Sequence, residues 1–130
     1  LDPILKNKSI QFISDITEEE IYIQADYNRL KQTIVNIIKN SRESIPESGV
    51  IKLSTNKNKN NVKIYIEDNG IGMTKEELSK IKEAFFSTKQ TGTGLGVYMA
   101  NEIITAHQGT LEYFSKKNLG TRVVITLPIA

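Results

Sequence analysis

The chain has 130 residues, with 17 Lys and Arg against 15 Asp and Glu, and this length suits one domain with its own core. Its 38% hydrophobic and 25% charged residues are ordinary for a globular domain, which excludes wholesale disorder and fibrous repeats. A formal net charge of +2 is too small for binding to a phosphate backbone, so we expect no nucleic-acid partner. The absence of Cys excludes disulfides, thiol catalysis and Cys-ligated metal sites.

The sequence carries no signal that would place it in or across a membrane. No apolar run approaches the roughly 20 residues that span a bilayer, and the start lacks a signal peptide's basic and apolar segments. We therefore expect a cytoplasmic location, with any membrane anchor belonging to the parent protein. The first residue is Leu1 rather than Met, so we expect the chain to be a piece of something longer.

The first third of the chain changes from an extended to a helical pattern. Residues 10–16 and 21–24 are typical of extended segments separated by a polar turn. From Asp26, a good N-cap residue, helical spacing continues until Pro46 and Gly49. The residues that recur at this spacing are Leu30, Ile34, Ile37, Ile38, Ser41 and Ile45.

The middle of the chain combines a hairpin, a short helix and an irregular stretch. Residues 50–55 and 62–68 alternate apolar and polar side chains around a polar tip, which predicts two antiparallel strands. Residues 74–77 form a capping box that begins a short helix. Residues 87–94 are rich in Gly and Thr and follow no regular period.

The last third of the chain predicts a helix and a second hairpin. Residues 95–106 carry apolar side chains on more than one helical face, so we expect that helix to be largely buried. Gly109 ends it, and residues 110–115 and 121–127 read as two strands. The whole pattern predicts an α+β layer sandwich.

Three groups of residues are candidates for chemistry. Asn36 and Asn40 are spaced i, i+4 and share a helix face, where carboxamide oxygens can hold a hydrated magnesium ion; a solvated polar face explains the pair equally simply. Asp68 ends a strand on its inward side, and Gly70 and Gly72 leave room for a flat ligand such as adenine. The alternative for Asp68 is a carboxylate that only organises an Asx-type turn.

The third group, residues 92–96, precedes a helix whose free N–H groups offer an anion site. It has neither the Walker A sequence nor the spacing of the dinucleotide fingerprint. Taken alone, such a stretch is explained as well by turn geometry or tight packing.

The order of these motifs resembles the ATP-binding catalytic domain of sensor histidine kinases, within the GHKL ATPase superfamily. Residues 36–40 are similar to the N box, 68–72 to the first glycine box, 85–89 to the F box and 92–96 to the second glycine box. With residues 120–121 before the last strand, the resemblance covers essentially the whole chain.

The resemblance implies a Bergerat-type fold over residues 1–130, in which a mixed, mostly antiparallel sheet packs on helices and a flexible ATP lid spans about 73–93. It implies a protein histidine kinase catalytic domain that binds ATP and Mg²⁺ and donates the γ-phosphate to a histidine on a separate dimerisation domain. The phosphoacceptor domain and a response regulator receiver domain are the expected partners. We expect the isolated domain to be monomeric and the full kinase homodimeric.

Residue roles carry over from the family by motif. Asp68 would hold the adenine amino group, Asn40 would coordinate magnesium with Asn36 in support, and Gly70 and Gly72 would shape the pocket. The other ATP-binding residues that the resemblance implies are Glu43, Met73, Phe86, Thr88, Lys89, Gly92, Thr93, Gly94, Leu95 and Gly96.

Several positions refine this expectation. Glu43 stands where many family members carry a basic residue that reaches phosphate, which leaves Arg42 or Lys89 as the replacement. Phe85, with Phe86, would anchor the lid. Residues 40–46 look most like nitrogen-sensing and sporulation kinases.

The first N-box residue and the single histidine bear on the reaction type. Relatives that hydrolyse ATP place Glu at the position of Asn36, and a carboxamide cannot act as a base at neutral pH, so we expect slow hydrolysis. We expect His107 to cap or pack a helix end rather than to accept phosphate. The alternatives to a kinase domain are a nucleotide-binding interaction module without catalysis and a serine-kinase anti-sigma factor of the same superfamily.

Overall fold

The computed structural model describes residues 8–86 and 95–130. In this part of the chain, five strands and three helices form the fold. The strands are β1 (Ser9–Asp15), β2 (Ser48–Lys57), β3 (Asn61–Asp68), β4 (Thr110–Lys116) and β5 (Gly120–Pro128), and the helices are α1 (Tyr27–Glu43), α2 (Lys75–Lys80) and α3 (Gly96–Ala106).

The strands form one mixed sheet in the order β1-β2-β3-β5-β4. β1 pairs with β2 in parallel, whereas the β2–β3, β3–β5 and β4–β5 pairs are antiparallel. A parallel pair needs a long crossover between its strands, and α1 lies in that connection. The mixed, mostly antiparallel sheet with its helices confirms the predicted α+β fold.

α1 begins where the sequence predicts and ends slightly earlier. The Asp26 carboxylate accepts a hydrogen bond from the Arg29 N–H at 3.2 Å, which satisfies one of the free donors of the first turn. The helix ends at Glu43, with Ser44 as its C-cap, before Pro46 is reached. The core between α1, α3 and the sheet contains Leu30, Ile37, Ile45, Ile51, Val62, Ile66, Ala100, Ile104, Leu111, Val123, Ile125 and Leu127.

The predicted extended segment at residues 21–24 is not a strand of the sheet. Ile21 and Ile23 pack against the core, and the carbonyl of Tyr22 accepts a hydrogen bond from the Ala130 N–H at 2.8 Å. The alternating pattern therefore reflects alternate side chains turned toward the core, without a ladder partner for the backbone.

α3 is less buried than its composition predicts. Ala100 and Ile104 are buried, but Tyr98 is 36% and Met99 53% exposed. α3 contacts α1 and β4, and a helix covered on those sides leaves its remaining surface open. No helix in the described ranges is both long and apolar enough to cross a membrane.

Candidate functional site

Asp68 lies half-buried at the end of β3, and one of its carboxylate oxygens is held by neighbouring donors. The Gly70 N–H donates to Asp68 Oδ1 at 2.9 Å, and Ser44 Oγ lies 3.1 Å from the same atom. The Gly70 bond is the Asx-type turn left open by the sequence. Within residues 8–86 and 95–130, Oδ2 has no hydrogen-bond partner, so the turn leaves that oxygen available to a ligand.

Gly70 and Gly72 are required because the loop after β3 runs very close to other backbone. A Cβ on Gly70 would lie 2.3 Å from Ser44 Oγ, and one on Gly72 would lie 2.0 Å from the Lys116 carbonyl oxygen. Gly72 also has a φ of +66°, a backbone conformation that residues with a side chain rarely adopt. The space that a side chain would occupy at Gly70 and Gly72 is thus filled by Ser44 and Lys116 of the protein itself, whereas the sequence suggested room for a ligand.

The loop from Asp68 to Met73 is tied to α1 on one side and to the β4–β5 hairpin on the other. The Ile71 N–H donates to the Ser44 carbonyl at 2.9 Å, and the Met73 N–H donates to Ser115 Oγ at 2.8 Å. The Asn118 N–H also donates to the Ile71 carbonyl at 2.6 Å. Bonds on both sides give Asp68 a fixed setting.

Asn36, Asn40 and Ser44 follow one another at intervals of one turn along α1 and its C-cap. Asn36 and Asn40 are half-buried, and Asn36 Oδ1 accepts a hydrogen bond from Gln32 Nε2 at 3.0 Å. Four residues advance a helix by about 6 Å and rotate it by about 40°. The polar stripe that contains both asparagines therefore leads to Asp68, through the Ser44 contact.

Two serines of this region were not singled out from the sequence. Ser44 holds Asp68, and Ser115 holds Met73 and also donates to the Gly120 carbonyl at 3.0 Å. Ser44 carries a detectable signal, because it continues the i, i+4 series of Asn36 and Asn40. Ser115 carries none that distinguishes it from any strand serine.

The remaining predicted nucleotide residues divide into three sets. Glu43 is exposed at the end of α1, Met73 is buried and Phe86 is half-buried. Leu95 is the N-cap of α3, and its side chain makes no cap hydrogen bond to the first N–H groups. The predicted residues that lie outside the described ranges are Thr88, Lys89, Gly92, Thr93 and Gly94.

Phe85, the predicted lid anchor, is exposed in the described part of the chain, and its role stays a prediction. Its side chain is 76% exposed and its φ is 68°. α2 ends at Lys80, so Phe85 does not continue the apolar face of that helix. The next residue, Phe86, is half-buried.

His107 caps α3, as predicted, and joins it to α1. Its Nδ1 lies 2.7 Å from the Ile103 carbonyl oxygen, and its Nε2 accepts a hydrogen bond from the Asp26 N–H at 3.0 Å. These two bonds require a neutral imidazole protonated on Nδ1. Both ring nitrogens are thus used in structure.

The side chains at this site suit magnesium held together with phosphates. The described ranges contain no group of three or more His, Cys, Asp or Glu that could enclose a metal ion. Magnesium is commonly bound by one or two protein oxygens, substrate phosphates and water, and a carboxamide oxygen can supply such a ligand. The donor set on α1 fits that kind of binding and does not fit an all-protein cage.

Comparison with known proteins places the chain in a family. Residues 25–130 match the family model described as histidine kinase-, DNA gyrase B-, and HSP90-like ATPase. Sporulation kinase B of Bacillus subtilis (strain 168) is 41% identical over 113 residues, which are 86% of this chain and 26% of the relative. The signal transduction histidine-protein kinase AtoS of Escherichia coli (strain K12) is 38% identical over 121 residues, 92% of this chain and 20% of the relative.

Solved structures give the same result. The nucleotide-free catalytic domain of histidine kinase ThkA superposes with a TM-score of 0.81 at 29% identity, covering 92% of this chain and 80% of the other. The mycobacterial sensor histidine kinase MprB, at 23% identity, shows the same fold with a TM-score of 0.83 over 92% of this chain and 82% of the other. The chain thus spans most of such domains but about a quarter or less of sporulation kinase B and AtoS. The chain belongs to the histidine kinase-, DNA gyrase B- and HSP90-like ATPase family, and its relatives are sporulation and sensor histidine kinases.

Proposed function

We propose that this chain binds Mg-ATP and donates the γ-phosphate to a histidine on a separate dimerisation domain of the same sensor kinase. The observation that carries the proposal is the setting of Asp68 at the end of the polar stripe of α1. Its Oδ1 is held by Gly70 and Ser44, and its Oδ2 has no partner in the described ranges. The ATPase family supports the nucleotide, and the kinase relatives support the transfer.

In this proposal the base and the metal are bound by different elements. Asp68 Oδ2 accepts a hydrogen bond from the adenine amino group, while Gly70 and Gly72 hold the loop that carries Asp68. Asn40 coordinates Mg²⁺ and Asn36 supports it. When held there, Mg²⁺ would supply charge neutralisation at the phosphate oxygens. The other proposed ATP contacts are Glu43, Met73, Phe86, Thr88, Lys89, Gly92, Thr93, Gly94, Leu95 and Gly96.

The whole chain, residues 1–130, acts as one catalytic domain with a lid over about 73–93 that closes on the nucleotide. A lid of this kind excludes water and presents the terminal phosphate to the acceptor. Asn36 contributes to the same end, because its carboxamide does not activate water as a carboxylate would. The γ-phosphate is then preserved until the acceptor histidine arrives.

The exposed surface of α3 is the proposed contact for the phosphoacceptor domain. Tyr98 and Met99 are exposed on this helix, which directly follows the proposed phosphate loop. An exposed apolar patch beside a site can mark a protein contact, and the position of these two side chains next to the phosphate loop in sequence is what favours them over other exposed apolar residues. The further proposals are a response regulator receiver domain as a later partner, a monomeric isolated domain, a homodimeric full kinase and a cytoplasmic location.

The test is phosphotransfer from γ-labelled ATP to a purified dimerisation domain that carries the acceptor histidine. We expect label on that domain, and none when its acceptor histidine is replaced. Met99→Glu should reduce the labelling rate about tenfold or more, as loss of an interface anchor does, without changing ATP affinity.

Other outcomes would contradict the phosphotransfer proposal. ATP binding without any labelled acceptor would indicate an interaction module without catalysis. Label on a serine of an anti-sigma target, in place of the histidine domain, would indicate an anti-sigma factor. Equal rates for wild type and Met99→Glu would refute the α3 contact alone.

A further inference from the structure

We propose that Ser44 is a positioning residue that sets the base specificity of the nucleotide site through its hydrogen bond to Asp68. This inference rests on the proposed ATP binding and adds to it the residue that separates an amino-purine from an oxo-purine. Ser44 lies at the C-cap of α1, and its contact with Asp68 spans 24 residues of sequence.

The Ser44 hydroxyl has one proton and two acceptors within reach. Its oxygen lies 2.8 Å from the Ser41 carbonyl oxygen and 3.1 Å from Asp68 Oδ1. A carboxylate is the stronger acceptor because it is charged. The hydroxyl can therefore donate to Asp68, and the Ser41 carbonyl offers a second acceptor when the carboxylate is turned away.

The hydrogen bonds at Oδ1 determine what Oδ2 can do. Rotating the Asp68 carboxylate away would break its bonds from both Gly70 N–H and Ser44 Oγ. Held in place and ionised, Oδ2 can only accept a hydrogen bond. It therefore pairs with the amino group at position 6 of adenine and repels the oxygen at position 6 of hypoxanthine.

Removing the Ser44 hydroxyl weakens this selection. With one donor fewer at Oδ1, the carboxylate turns more easily, and Oδ2 is aimed less firmly at the base. The preference for ATP over ITP, whose base is hypoxanthine, then falls.

Ser44→Ala removes the hydroxyl group and leaves the rest of the residue in place. It keeps the Cβ and the backbone carbonyl that accepts from the Ile71 N–H, and it removes only the hydroxyl oxygen that bonds Asp68. ATP and ITP share their ribose and triphosphate, so the ratio of their dissociation constants reports on the base alone.

The experiment is calorimetric titration with ATP and with ITP of four proteins: wild type, Ser44→Ala, Asp68→Asn and the double variant. We expect Ser44→Ala to lower the ATP preference about three- to tenfold, the size of one hydrogen bond to a charged group reduced by its indirect action. In the Asp68→Asn background the same change should have no effect on the ratio, because the coupling partner is missing. Ser48→Ala, an exposed serine at the start of β2, is the matched control and should leave the ratio unchanged.

The two proposals fail in different ways. A wild-type preference for ATP that persists in folded Ser44→Ala would overturn the role of Ser44 and leave ATP binding intact. An equal loss of affinity for both nucleotides would also overturn it, since Ser44 would then act on the fold alone. No ATP binding by folded wild type would overturn both proposals.

Discussion

Asn36 lies on the polar stripe of α1, and its carboxamide oxygen accepts a hydrogen bond from Gln32 Nε2 at 3.0 Å. Asn36→Glu places a carboxylate on this stripe, where it can accept a proton from water. We expect ATP hydrolysis in the absence of an acceptor to rise about tenfold or more, within the range that a positioned general base contributes. A steady-state phosphate-release assay measures this.

The matched control for this change is Asn36→Gln, which has the length of Glu without its basicity. We expect it to leave the hydrolysis rate low. An unchanged rate in an Asn36→Glu protein that still binds ATP would show that the first N-box residue does not limit hydrolysis.

The hydroxyl of Tyr113, on β4, is buried and has no hydrogen-bond partner among the described residues. Burial raises the pKa of this phenol well above its usual range. Because a buried hydroxyl without a partner opposes folding, we expect Tyr113→Phe to stabilise the domain by about 1 kcal/mol. Urea unfolding near neutral pH measures the gain, with the exposed Tyr27→Phe as a control that should change little.

The same residue predicts a pH dependence. Above a pH of about 10, Tyr113 ionises in the unfolded chain but stays protonated in the folded one, so the unfolded state binds fewer protons. The stability of wild type should therefore fall as pH rises past that value, and fall less in Tyr113→Phe. Identical alkaline unfolding curves for the two proteins would contradict this.

The residues whose signal is local can be predicted from the sequence. Strand parity placed Asp68 on the inward side of β3, and the following Gly70 and Gly72 marked a tight loop. The partners of these residues cannot be predicted from the sequence, because Ser44 and Ser115 contact the loop only when α1 and the second hairpin are packed against it. Hydrogen bonds across such sequence distances depend on tertiary packing.

At the scale of elements, His107 links the C-terminal end of α3 to the N-terminal end of α1 through bonds to Ile103 and Asp26. His107→Leu removes both, and we expect a loss of about 1–2 kcal/mol in the free energy of unfolding. His107→Gln can accept the Asp26 N–H at the position of Nε2 and should recover much of that loss. Urea denaturation of the three proteins tests this, and equal stabilities for the Leu and Gln variants would show that the Asp26 bond contributes nothing.

The elements with strong local signals were predicted well. The N-cap Asp26 and the capping box at Thr74 both have the predicted hydrogen bonds, and the two hairpins lie where alternation and polar tips placed them. The structure at residues 21–24 and the burial of α3 were predicted less well. Periodicity reports only which side chains are apolar. It does not report whether the backbone finds a ladder partner or how many sides of a helix are covered.

At the scale of the whole molecule, the proposed site joins parts of the chain that are far apart in sequence. α1 supplies the asparagines and Ser44, β3 supplies Asp68, and the hairpin between β4 and β5 holds the loop through Ser115 and Asn118. Each motif alone has an ordinary structural explanation, and the convergence of α1 and the second hairpin on the loop that carries Asp68 favours a nucleotide site.

The most direct measurement is calorimetric titration of the chain with ATP, with and without magnesium, for wild type, Asp68→Asn and Asn40→Asp. We expect that wild type binds ATP, that magnesium strengthens binding, and that Asp68→Asn binds at least about tenfold more weakly because the acceptor for the adenine amino group is lost. Asn40→Asp should change the magnesium dependence, since it replaces a neutral ligand by a charged one. A well-folded wild-type chain that shows no binding of ATP under either condition would contradict the proposed nucleotide site.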